Sequence, residues 1–281
     1  MPIALEFPGR AKEMRVVEEK LAVGGKPIYT RQLEQISLAR TLADGGAKFR
    51  IDWHLIALPI TQEKSGTDPL SIFRQWLARM LVLQLLPSLI SGDSEQETLQ
   101  PNLQVTDFAA WFSGLRASAP AAYSQIDEYL KQVMPDLKDI QNPVTGGDSR
   151  SLFLQFTNEQ GTVKLAFEDL SDGEKCFMIC ALVLAAKSAY EPVLCFWDEP
   201  DNYLALAEVG HFVLALRKAF QTGGQFIATS HNLEAIGRFS SENTLVLYRK
   251  SHLEPALVRP LSEVQISGDI VSALVRGDVE P

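Results

Sequence analysis

Nowhere in the 281 residues does an apolar run approach the roughly 20 residues that a membrane-spanning helix needs. The most apolar window, Met80 to Ile90, is broken by Gln84 and Pro87, and the opening MPIALEFPGRAKEMR lacks the apolar segment of a secretory signal. Blocks of like charge are missing too. The net charge is −9 with no basic tract, which excludes a broad electrostatic sheath for nucleic acid and leaves only local contact with DNA. The basic residues of the first fifty positions, Arg10, Lys12, Arg15, Lys20 and Arg31 among them, alternate with apolar ones, as the solvated face of a half-buried sheet requires. Cysteine is scarce: Cys176, Cys180 and Cys195 are an odd set in apolar surroundings, which argues against a disulfide framework and for a reducing, cytoplasmic compartment. Cys176 and Cys180 share a helix face, but no histidine or third cysteine stands at ligand spacing, so no metal site is expected of them.

What is present suffices for a sizeable core, since 46% of the residues are apolar. Residues 1–62 read as an antiparallel β meander: short alternating segments punctuated by Gly24-Gly25 and Gly45-Gly46. From 63 to 145 the pattern turns helical, with helices expected from Asp68 to about Ile90, ending or kinking near Pro87, then from Thr106 to about Arg116 and from Ala121 to about Met134. Asn142-Pro143 and Gly146-Gly147 mark a boundary. Beyond it, from 146 to 281, a hairpin around Asn158 to Gly161 leads into alternating elements: a helix from Gly173 to about Tyr190, a strand from Val193 to Trp197, a helix from Ala205 to Phe220, a strand from Gln225 to Thr229, a short helix after Asn232, and a strand from Thr244 to Arg249. Strands alternating with helices predict an α/β fold with a parallel sheet covered on both faces.

Three clusters carry chemistry. Leu170-Ser171-Asp172-Gly173-Glu174-Lys175 stands where a strand hands over to a helix. Ser171 and Glu174 have the spacing of a capping box, and the same helix start, with its glycine, presents N–H groups to an anion such as a γ-phosphate. In the second cluster the apolar strand ending Trp197-Asp198-Glu199-Pro200 delivers two carboxylates to the C-terminal edge of a parallel sheet, where phosphates bind in such folds. One could hold Mg²⁺ and the next polarise a water; two acids opening a turn before proline is the plainer alternative. Thr229-Ser230-His231-Asn232 ends a second core strand and places a histidine where it could sense phosphate.

In order and spacing these clusters resemble the signature motif, Walker B, D-loop and switch histidine of the ABC-type AAA ATPases, the RecF/SMC-like and OLD-like heads of genome maintenance and phage defence. The motifs cover roughly residues 167–247. The resemblance implies a P-loop NTPase-like fold, the ABC ATPase head, with the antiparallel meander and a helical insertion lobe. It implies ATP and Mg²⁺ as ligands, with Asp198 serving the metal, Glu199 as general base and His231 at the γ-phosphate. Ser171, Gly173 and Glu174 would complete the ATP site of a partner head, alongside Asp201 and Asn202 of the D-loop. Expected partners are a second head packed head to tail, with a nuclease subunit or DNA as further options and no membrane.

Two departures from the family pattern stand out. Ala205 follows Leu204 where the family continues with Asp or His. No G-x-x-x-x-G-K-[ST] motif occurs anywhere: Gly24-Gly25-Lys26-Pro27 and Gly45-Gly46-Ala47-Lys48 lack its spacing and hydroxyl residue. The family's first strand-loop-helix unit is therefore expected to be missing from these residues. That leaves either an ATPase that obtains its phosphate loop elsewhere or a catalytically inactive scaffold or regulatory subunit. It also predicts an apolar flank without cover near residues 193–197 and 225–229.

Overall fold

The computed structural model describes residues 1–6, 13–39, 46–62, 65–189, 194–239, 241–264 and 273. Arg10, Lys12, Gly45, Tyr190 and Val193, on which part of the sequence reading falls, lie outside the described residues. Two compact units are formed by Met1–Ala78 and Arg79–Pro281, and the residues expected as a helical lobe, 63–145, are shared between them.

In the first unit β1 (Ile3–Glu6), β2 (Arg15–Val23), β3 (Lys26–Gln32), β4 (Gln35–Leu38) and β5 (Lys48–Arg50) pair antiparallel in sequence order, the meander that the alternation predicts. Gly24 and Gly25 turn β2 into β3 with φ of 55° and 78°, which glycine adopts without steric cost. Leu33 makes the next turn at φ 51° with no glycine to announce it. One face buries Leu21, Tyr29, Ile36 and Leu38 against Ala57, Leu58 and Leu70. Within that face Glu19 and Arg31 stand directly opposite on β2 and β3, both fully buried and 3.1 Å apart. Their remaining valences are used: Glu19 accepts the Ala57 N–H, and Arg31 donates to the carbonyls of Leu33, Asp52 and Leu55. A buried ion pair survives only with such complete hydrogen bonding, so this one also fixes the 52–57 loop to the sheet. The unit closes with α1 (Pro69–Leu77), whose N-cap Asp68 accepts the Leu70 N–H at 3.0 Å and whose first residue is proline.

Here the sequence reading needs correction. The helix expected to reach Ile90 stops at Leu77, and the apolar run beyond it forms β6 (Leu81–Gln84) of the second unit. A short apolar run fits helix or strand equally well, and pairing with a distant strand decides it. The chain continues through β7 (Asp93–Ser94), α2 (Phe108–Ser118), α3 (Pro120–Val133), β8 (Leu137–Gln141), β9 (Val144–Gly146), β10 (Ser149–Ser151), β11 (Phe153–Asn158) and β12 (Gly161–Ala166). Then come α4 (Asp172–Ala189), β13 (Leu194–Asp198), α5 (Leu206–Ala219), β14 (Gln225–Ala228), α6 (Leu233–Arg238), β15 (Leu245–Tyr248) and β16 (Leu257–Pro260).

Three of these strands form a parallel sheet in the order β14-β13-β6. β15, read as another member of the alternating pattern, instead pairs antiparallel with β16 in a separate ribbon. Two further three-stranded sheets, β12-β11-β8 and β7-β10-β9, complete a mixed α/β architecture of several sheets. The core is built around α4, where every residue from Cys176 to Val183 is buried, as a helix apolar all round must be. Helices α2, α3 and α5 pack on it together with Leu81, Leu83, Cys195 and Trp197 of the sheet. Burial pushes the Cys176 and Cys180 thiols up to about 12 and Cys195 higher still. Cys195 and Trp197 bury one face of the parallel sheet in the core; on the other face Val82 is 49% and Ile227 42% exposed on either side of half-buried Phe196, so this sheet is not covered on both faces and carries the apolar flank expected without cover. Among the described residues no helix is long and apolar enough to cross a membrane.

Candidate functional site

A parallel sheet brings the last side chains of its strands to one edge. Pairing of Trp197 with Ala228 and of Asp198 with Gln84 sets the ends of β14, β13 and β6 side by side there. Gln84 donates its side-chain amide to Asp198 Oδ2 at 3.0 Å. From the other side the Thr229 hydroxyl donates to Asp198 Oδ1 at 2.5 Å and accepts the Glu199 N–H at 2.9 Å. Asp198 is thus gripped by both neighbouring strands, with its oxygens at the sheet edge.

Glu199 follows with φ of 47°, in the left-handed region. Such a conformation in a non-glycine residue costs about 1–2 kcal/mol and persists only where the surroundings impose it. Here the Thr229 hydroxyl holds its N–H, its Oε1 lies 3.0 Å from His231 Nδ1, and the Asn202 amide donates to its Oε2. The His231 side chain is 73% exposed and that of Glu199 41%, so their contact contributes little stability and leaves both groups reachable by a ligand.

Beneath this open pair lies a closed one. Asp201 is only 3% exposed, and its Oδ2 accepts the Ser230 hydroxyl at 3.0 Å. Ser230 Oγ in turn accepts the Asn232 N–H at 3.0 Å, while Asn232 Oδ1 caps α6 through the Glu234 N–H at 2.9 Å. Asp201 Oδ1 is buried with no hydrogen-bond partner among the described residues. Burial pushes the Asp201 carboxyl above its ordinary value, the Ser230 hydrogen bond opposing and the Glu199 charge adding to the rise.

At the start of α4 the capping-box geometry is present. Glu174 Oε2 accepts both the N–H and the hydroxyl of Ser171 at 2.7 Å, and the Glu174 N–H donates to Ser171 Oγ at 3.3 Å. Gly173 sits against the loop after β13, where a β-carbon would meet the Tyr203 carbonyl oxygen at 3.1 Å. Backbone approach is one physical reason for glycine there. The fold therefore brings together Asp198, Glu199, Asp201, Asn202 and His231. It sets Ser171, Gly173 and Glu174 at a helix start that touches the same loop through Tyr203.

Sequence reasoning passed over Gln84, although one polar residue inside Leu81-Val82-Leu83-Gln84-Leu85-Leu86 was a signal that the run ends at a polar edge. It also left Thr229 and Ser230 as bystanders of His231. Their roles depend on the register between β13 and β14, which a single sequence does not display.

No protein-family model matches the chain. Over 121 residues, 41% of its length, it is 36% identical to the chromosome partition protein Smc of Chlorobaculum tepidum, and it spans only 10% of that protein. Among solved structures it is similar to the Smc head domain with a coiled coil and joint from Pyrococcus yayanosii, at 13% identity and a TM-score of 0.43, over 60% of this chain and 30% of that one. A structure from work on ATP-driven dimerisation and DNA-stimulated activation of SMC ATPases matches at 15% identity and a TM-score of 0.41, covering 54% of this chain and 91% of the other. The SMC head domain of Thermotoga maritima matches at 10% identity and a TM-score of 0.38, over 89% and 74%.

Proposed function

We propose that this chain is the carboxylate- and histidine-bearing part of an ABC-type, SMC-like ATPase head, which turns over ATP when a phosphate-binding loop is brought to it. The observation that carries this reading is the convergence at one sheet edge of Gln84, Asp198, Glu199, Thr229 and His231, the glutamate held by the histidine and the aspartate gripped from both sides. Its identity to part of a chromosome partition Smc supports the same reading. Chromosome maintenance is the role we favour over phage defence.

Asp198 offers hard oxygen atoms of the kind Mg²⁺ prefers. Among the described residues no group of three or more His, Cys, Asp or Glu could enclose a metal, which suits an ion shared with a nucleotide's phosphates rather than caged by protein. Bound there with ATP, it would neutralise developing phosphate charge. Asp198 is the residue that would hold it, and Thr229 and Gln84 keep that carboxylate aimed. Glu199 takes the proton of the attacking water. His231 orients Glu199 and faces the γ-phosphate. The start of α4, with Ser171, Gly173 and Glu174, is offered to the nucleotide of a second head. Asn202 steadies Glu199 from its own loop.

A second reading is a pseudo-ATPase or scaffold, and the absence of G-x-x-x-x-G-K-[ST] from the sequence favours it. Calorimetry separates the possibilities. The 281-residue chain alone should bind ATP weakly, near the millimolar range that corresponds to about −4 kcal/mol. Supplied with a P-loop by the DNA upstream of its Met1 codon or by a complete partner head, it should hydrolyse ATP, and Ser171→Arg should abolish turnover without weakening binding. Low-micromolar affinity of the isolated chain would overturn the borrowed-loop argument, and an assembled complex without turnover would favour the scaffold.

A further inference from the structure

The loop after β13 and the loop after β14 carry the two residues read above as water-activating and phosphate-facing, yet among the described residues the His231 ring is held by one hydrogen-bonding contact, to Glu199, at an exposed site. An exposed pair of this kind is too weak to hold itself in one geometry. Something beneath it must fix the loop from which His231 projects. Among the described residues, four hydrogen bonds that involve side chains tie the end of β13 and its loop to the loop after β14: Thr229 to Asp198, the Glu199 N–H to Thr229, His231 to Glu199, and Ser230 to Asp201. Of the four side chains in the last two ties, only Asp201 is buried.

We propose that Asp201 is a positioning residue: through its hydrogen bond to Ser230 it clamps the loop after β14 to the loop after β13 and so holds His231 against Glu199. This departs from the D-loop role that the family resemblance implies for Asp201, and it rests on the reading of Glu199 and His231 as the reacting pair. A residue facing a nucleotide would be open to solvent, whereas Asp201 has one oxygen on Ser230 and the other enclosed. A buried acceptor left unpaired is costly, and one that persists at the seam of two functional loops is explained by what the occupied oxygen does. Ser230 is the transmitting element. Its oxygen receives the Asn232 N–H while its hydrogen goes to Asp201, so the backbone on both sides of His231 is referred to the buried carboxyl.

The test uses the whole chain with isotope-labelled histidine, its four imidazoles being those of His54, His211, His231 and His252. His231 is assigned by its loss in His231→Gln, and its contact with Glu199 by the displacement of its Nδ1 signal in Glu199→Gln. Ser230→Ala and Asp201→Ala should each move the Nδ1 signal of His231 toward that of a free imidazole, and Asp201→Asn, which keeps an acceptor for Ser230, should restore it. In a complex supplied with a P-loop, Ser230→Ala should lower kcat by about tenfold with KM little changed. If Asp201→Ala fails to fold, Asp201→Leu, close in size to the carboxylate but without its acceptor, takes its place, because Ser230→Ala also removes the acceptor of the Asn232 N–H. An unmoved His231 signal in folded Ser230→Ala overturns the clamp even when wild-type turnover is intact. Absent turnover in the wild-type complex sinks the ATPase reading instead, while the imidazole signal still judges the clamp.

Discussion

Gln84 Nε2 lies 3.0 Å from Asp198 Oδ2, joining two residues 114 positions apart at the mouth of the parallel sheet. If Asp198 serves Mg²⁺, Gln84 steers one of its oxygens. With a P-loop supplied, Gln84→Ala should raise the Mg²⁺ concentration needed for half-maximal turnover several-fold, by roughly the 1 kcal/mol of one hydrogen bond. Asp198→Asn should raise it far more. Mg²⁺ titrations of both variants check this, and equal effects would mean that Gln84 acts as a ligand in its own right.

Glu199 joins the carboxylate proposed to activate water to a strained backbone. Glu199→Gln keeps size and φ, so ATP should still bind while turnover falls by about 10²-fold or more. Glu199→Gly should also abolish turnover, but relieving the φ of 47° should raise stability by about 1 kcal/mol relative to the Gln variant. Urea melts of the pair separate strain from chemistry.

The Glu19–Arg31 pair makes the first unit sensitive at a point far from any proposed chemistry in sequence. Arg31→Met leaves a buried carboxylate unpaired and should cost about 3–5 kcal/mol. The double change Glu19→Leu with Arg31→Met should recover much of that loss, because it removes both desolvation penalties together. Chemical denaturation followed through Trp53, which lies in the 52–57 loop tied to this pair, reads both variants.

For Asp201 the expected pH dependence follows from a folded carboxyl held above its ordinary value of 3.8. Below that value folded and unfolded chains both carry the proton, and burial costs nothing extra. As pH rises the unfolded chain ionises first, so stability is lost progressively until the folded group ionises too. Asp201→Asn escapes this loss. Its melting temperature should match wild type at about pH 3 and exceed it as pH rises above the carboxyl's ordinary value. A constant offset across that range would show that burial does not govern the group.

Much of the fold was legible because its helices and strands announce themselves by period and by caps. Asp68-Pro69 opens α1, and Ser171 with Glu174 opens α4, as the spacing predicts. What failed was everything decided by distant pairing. Leu81 to Gln84 carries no local mark of a strand, and only β13 makes it one. The Leu33 turn has no glycine, asparagine or aspartate, so β3 and β4 read as one segment. Asp198, Glu199 and His231 could be picked out by type and order. The grip of Gln84 and Thr229, and the buried tie from Asp201 to Ser230, exist only once the strands are in register.

The helix start at Ser171 has one further consequence. Both donors of Ser171, its N–H and its hydroxyl, are already occupied by the carboxylate of Glu174. If the start of α4 takes a phosphate, as proposed above, that phosphate must displace a tethered anion of the same sign to reach Ser171. Recognition at this helix is then an exchange of anions, in which only the difference between two attractions is gained. A site of that kind would favour phosphate delivered on another surface over free phosphate, with the rest of that surface supplying the balance.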